Sequence, residues 1–139
     1  MYKELIAELS KNNRWVNIQP PATEKDILEA EGVVRYAFPY ELKQLLYELN
    51  GDSYLILSTK EIINNCLMNR EYLKECYEDI DFHIFFAGNG CGDYYCYNIS
   101  PDGKINADAI YIWEHEINET HFVAKDIKEL LSRYYNSEI

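Results

Sequence analysis

The stretches PPATEKDILEAEG (Pro20 to Gly32) and FPYELKQLLYELNGD (Phe38 to Asp52) decide how this chain is read, because each carries marks of an amphipathic helix. In the second, Pro39 stands where a first helical turn needs no amide donor. Leu42, Leu45, Leu46 and Leu49 then recur at i, i+3, i+4 and i+7 as one apolar stripe. Asn50-Gly51 offers a left-handed stop. In the first, Thr23 followed by Asp26 is an aspartate version of a capping box, and Ile27, Leu28 and Glu31 divide a buried face from a wet one.

Working outward, the pattern predicts helices near Tyr2 to Asn12, Thr23 to Gly32, Pro39 to Leu49, Thr59 to Asn65, Asn69 to Glu78 and Ala124 to Tyr135. Strands are predicted at 54–57, 82–87, 94–98 and 109–113. Gly88-Asn89-Gly90-Cys91-Gly92 suits left-handed backbone and joins two of these strands as a hairpin with a loose loop. Ser100-Pro101-Asp102-Gly103 is a second turn. Strands so closely connected are antiparallel, so the expected fold class is α+β, an antiparallel sheet packed by helices. Trp15, Phe38, Phe82, Phe85, Phe86 and Trp113 are expected in the core, and Cys66 and Cys76 as small buried side chains on helices. Alternation puts Tyr94 and Tyr95 on opposite faces, so at least one of them leaves the core. The thirteen tyrosines are too many for one core, and several must reach the surface.

A chain of 139 residues with 47% hydrophobic content is expected to form a single domain, 1–139, around one core. Cys66, Cys76, Cys91 and Cys96 lack the paired C-x-x-C spacing of a zinc site. With no basic and apolar leader, the expectation is reduced thiols in the cytoplasm. The apolar runs are too short to span a bilayer. Twenty-four acidic against thirteen basic residues leave a formal charge of −11, which repels nucleic-acid phosphates and anionic lipid and attracts basic proteins.

Three constellations could carry chemistry. The loop GNGCGD lacks both the Lys-Ser/Thr of a P-loop and the order of a dinucleotide site, so it reads as a turn that presents a surface. In Glu114-His115-Glu116 with His121, the histidines are six apart rather than four. Cys91, Cys96, Asp93 and His83 would have to assemble across the sheet to bind a metal. No nucleophile sits in a recognisable catalytic sequence. The expectation is therefore no catalytic residue, no cofactor and no metal ligand set.

The two helices, with the Trp-x-x-Ile lead-in at Trp15 to Ile18, resemble the N-terminal signature of the SUKH superfamily. That superfamily includes bacterial toxin-immunity proteins and fungal regulators of cell-wall synthesis. The order continues in Tyr54 to Leu57, Ser58-Thr59, Phe82 to Ala87, Gly88 to Asp93, Tyr94 to Asn98, Ala109 to Trp113 and a closing helix near Ala124. The resemblance covers about residues 15 to 131, and the segment Asn64 to Tyr77 aligns with nothing. It implies a protein that binds a cognate toxin domain stoichiometrically. An acidic chain suits a basic, nuclease-type toxin. Asp52, Tyr54, Asp93, Tyr94, Glu114 and Glu116 flank the predicted turns and strand ends and are the candidate partner-binding residues. Two alternatives stay open: a regulatory protein-interaction scaffold, and a small-ligand or metal-binding enzyme using the 88–96 hairpin and the 114–121 loop.

Overall fold

A computed structural model describes residues 1–139. Helices α1 (Tyr2–Leu9), α2 (Glu24–Val34), α3 (Tyr40–Glu48) and α4 (Thr59–Tyr72) precede strands β1 (His83–Gly88), β2 (Tyr94–Asn98), β3 (Ile110–Glu114) and β4 (Glu119–Ala124). Helix α5 (Ile127–Tyr135) closes the chain. The strands form an antiparallel meander in the order β1-β2-β3-β4. This is the α+β architecture expected from the turn chemistry.

Local signals explain where the helices begin. Thr23 Oγ1 accepts from the Asp26 amide at 3.1 Å, and the Asp26 carboxylate accepts from the Thr23 amide at 2.9 Å, a complete capping box for α2. Ser58 and Glu61 do the same for α4. The leucines of α3 are buried as their spacing requires, with Leu42, Leu45, Leu46 and Leu49 all fully enclosed. Pro39 is the cap of α3, and the helix ends in an extended Leu49. The left-handed residue comes two positions later, at Gly51 (φ 87°), where a Cβ would lie 2.8 Å from the Ser58 amide nitrogen. Only glycine lets these two backbone segments approach so closely.

Five expectations need correction. Residues 54–57 are not a strand of the sheet: Ile56 forms one bridge with Ala87, flanked by Leu57 N–H to the Phe86 carbonyl and Gly88 N–H to the Leu55 carbonyl. The predicted helices at 59–65 and 69–78 are one continuous helix, α4, which ends at Tyr72. Arg70 ties it down by donating to the Val33 and Val34 carbonyls at the end of α2 and to Asp81. Residues 119–124, read as loop and helix start, pair with β3 as β4, so α5 begins at Ile127 with Asp126 as its cap. Among the core candidates, Trp15 lies 66% exposed beneath Arg14 in the irregular lead-in, and Phe82 is exposed on a 3-10 turn. Cys76, placed beyond the end of α4, is exposed as well, and Cys66 is half-buried.

The sheet is covered on both faces. The larger core gathers α1, α2, α3 and α5 over Ile84, Phe86, Ala87, Tyr95, Tyr97 and Ile110. A bulge at Phe86 lets both Phe86 and Ala87 join this side, and Phe86 stacks on Tyr97 at 5.0 Å. A smaller cluster of Ile80, Phe85, Cys96 and Trp113 fills the other face beneath Leu73 and Tyr77. Glu41 on α3 links layers: it accepts from the Tyr97 hydroxyl at 2.6 Å and from the first amide of α5 at 3.3 Å. No helix is long and apolar enough to cross a membrane.

Candidate functional site

The meander brings the ends of β1 and β3 and the starts of β2 and β4 to one end of the sheet, so the 89–93 and 115–118 loops lie side by side. Asp93 joins them. Its Oδ1 accepts from the His115 amide at 3.1 Å and pairs with His115 Nδ1 at 2.7 Å, while Asn89 Nδ2 reaches its other oxygen at 3.4 Å. Burial acts to raise the pKa of this carboxyl, but the His115 and Asn89 hydrogen bonds outweigh it and hold Asp93 below the ordinary carboxylate range. The glycines of the loop serve this clasp. At Gly92 (φ 95°) a Cβ would stand 2.9 Å from the His115 ring, so the histidine can close over the turn only because no side chain is there.

The second loop is anchored from below. The Trp113 indole donates to Asn118 Oδ1 at 2.7 Å, Asn118 donates to Asp79 at 2.9 Å, and the Tyr77 hydroxyl donates to the His115 carbonyl at 2.8 Å. With its backbone held this way, Glu116 projects an exposed carboxylate that makes no ion pair within the chain. Glu114, half-buried, lies opposite Glu119 in the register and meets His121 Nε2 at 3.0 Å. Between Lys74 and Lys125 the sole basic residue is Lys104, and it sits in the turn at the opposite end of the sheet. No lysine or arginine forms an ion pair with Asp93, Glu114, Glu116 or Glu119.

The aromatic residues divide between faces. Tyr54, 39% exposed, stacks on Tyr135 at 6.1 Å and meets Tyr134 edge-on at 6.1 Å; Tyr134 in turn packs against Tyr95 at 6.0 Å. Burial, reinforced by Tyr54, pushes the Tyr134 phenol up to about 12. Tyr94 is on the opposite face. Its ring contacts Phe85 at 5.8 Å and its hydroxyl donates to Asn65 at 3.3 Å, while Tyr95 is buried, as the alternation requires.

Of the six candidate contact residues, Asp93, Glu114 and Glu116 are brought together around His115, with Tyr54 and Tyr94 flanking them on the two faces. Asp52 is a correction. It is fully buried, and its Oδ1 accepts the amides of Tyr54, Leu55 and Ile56 at 2.9, 2.8 and 2.9 Å, so no atom of it is free to touch a partner. Sequence reasoning missed His115 as a clasp, Glu119 and the Tyr134-Tyr135 pair. His115 and Glu119 stand beside residues already singled out, but the His115–Asp93 pairing spans 22 residues and Glu119 meets Glu114 only because the unpredicted strand β4 forms.

Of the four residues weighed as a metal site across the sheet, His83 and Cys96 both reach Asn98 Oδ1, whereas Cys91 and Asp93 lie on the loop at the other end. His83 starts β1 at the far end from the acidic loops, its Nδ1 bonded to Asn98 Oδ1 at 2.8 Å, and burial lowers its pKa. Cys96 lies in the sheet, where burial raises its thiol far above the range of a reactive cysteine.

No curated protein sequence matches the chain closely enough to count as a relative. The model of the SMI1 / KNR4 family (SUKH-1) matches residues 21–133, from the segment leading into α2 to within α5. The chain belongs to the SMI1 / KNR4 family (SUKH-1).

Proposed function

We propose that this protein is an immunity-type binding protein of the cytoplasm that neutralises a cognate, basic toxin domain by stoichiometric docking, without catalysis and without a cofactor. The observation that carries this reading is the acidic sheet end, where Asp93 and Glu116 stand on two mutually anchored loops and Glu114 and Glu119 on the strand ends beside them, with no lysine or arginine among them. A field of one sign on a rigid platform speeds encounter with a basic protein and resists wrong partners. Tyr54 and Tyr94 add amphipathic contact area at little cost in side-chain entropy. The same field opposes direct contact with nucleic acid or an anionic bilayer.

A pull-down against toxin domains encoded beside this gene tests the reading. Capture of one such domain at one-to-one stoichiometry, with loss of its toxicity on co-expression, is the expected result. Capture without protection would favour a regulatory scaffold over an immunity role, and absence of capture would remove both.

A further inference from the structure

We propose that Glu114, Glu119 and His121 form a binding site for a divalent transition-metal ion, zinc being the best match, on the solvent side of the β3–β4 hairpin. Glu114 and Glu119 are direct cross-strand partners, and His121 lies two residues along the same strand face as Glu119. His121 Nε2 stands 3.0 Å from a Glu114 oxygen and 3.6 Å from a Glu119 oxygen, and all three donor atoms lie within 4.8 Å of one another. A tetrahedral ion with bonds of about 2.0–2.1 Å needs neighbouring ligand atoms roughly 3.3 Å apart, a spacing that the two histidine distances bracket. The two histidine spacings are therefore near those the ion requires, with the ion replacing the His121–Glu114 hydrogen bond.

Two further points select a cation and its class. Like charges directly opposite on paired strands repel. Neither glutamate has a lysine or arginine partner, so the two opposed carboxylates have only His121 beside them. One imidazole with two carboxylates favours zinc, copper or nickel over calcium and magnesium, which prefer all-oxygen shells. Three protein ligands leave at least one position for water. The inference shares Glu114 and Glu119 with the partner surface, but its test uses the chain alone, so its failure leaves the partner reading standing.

The test is calorimetric titration of Zn²⁺ into the chain carrying Cys76→Ser and Cys91→Ser, which removes the two exposed thiols as competing ligands. Co²⁺ in place of zinc gives a visible absorption band as a second readout. One saturable site is expected. His121→Ala and Glu119→Gln should each weaken it at least about tenfold with an unchanged circular dichroism spectrum. Equal affinity in the His121→Ala variant would overturn the proposal. So would a dissociation constant above about 1 mM, which would mean an adventitious ion only.

Discussion

Replacing Asp52 should separate its structural task from any role in contact. Its Oδ1 is the common acceptor for three successive amides, those of Tyr54, Leu55 and Ile56, and it thereby closes the turn that sets residues 54–57 against β1. Asp52→Ala strands those donors, and an unpaired buried donor costs about 1–3 kcal/mol. Relief from burying a carboxylate whose second oxygen has no partner offsets part of this, so a net loss of about 3 kcal/mol is expected. Asp52→Asn keeps the accepting oxygen and removes the charge, and should change stability by about 1 kcal/mol or less. Urea unfolding at neutral pH measures both.

The pH dependence gives a second readout on the same residue. Burial raises the Asp52 carboxyl above its ordinary value of 3.8, outweighing the three amide hydrogen bonds. A group raised in the folded state contributes stability that is fully present below the unfolded pKa and lost as pH climbs through the folded one. The wild-type chain should therefore lose stability over the interval just above pH 3.8 relative to Asp52→Asn. An Asp52→Ala cost below about 1 kcal/mol, or identical pH slopes for wild type and Asp52→Asn, would refute this account of the turn.

Two further substitutions probe the frame that holds the site. Leu45→Ala, at the centre of the fully buried stripe, should cost about 2–5 kcal/mol, and an unchanged unfolding midpoint would show that α3 is wrongly placed. Gly51→Ala forces a side chain into positive φ and against the Ser58 amide, so a loss of more than about 1 kcal/mol is expected in the same assay; a neutral result would mean the two segments separate freely.

Elements written in local chemistry were legible in the sequence. The leucine stripe of α3 and the Thr23-Asp26 box of α2 depend on residues within one or two turns, and both are found. What was misread depends on tertiary pairing. In Glu119–Ala124, Phe122 points to solvent while Thr120 and His121 are polar, so no apolar alternation marks the strand; β4 exists because β3 lies beside it. Tyr54 to Leu57 looks like a strand, but the Asp52 turn presents just one of its residues to β1 as a bridge. At the site, Asp93, Glu114 and Glu116 were visible as acids flanking turns. The Asp93–His115 clasp spans 22 residues and has no local signature. Asn50-Gly51-Asp52 has the composition of an exposed turn, yet its aspartate faces inward to satisfy backbone donors.

The central claim is that the acidic sheet end meets a basic partner. Its most direct test is calorimetry of the wild-type chain and a variant with Asp93, Glu114 and Glu116 reversed to lysine, each titrated with the captured toxin domain in EDTA at low and physiological salt. The account predicts weaker binding by the reversed variant and a smaller dependence on salt, since screening acts over about 8–10 Å and the steering charges have been removed. Affinity and salt dependence equal to wild type, in a variant that remains folded by circular dichroism, would contradict the account and place the interface elsewhere on the molecule.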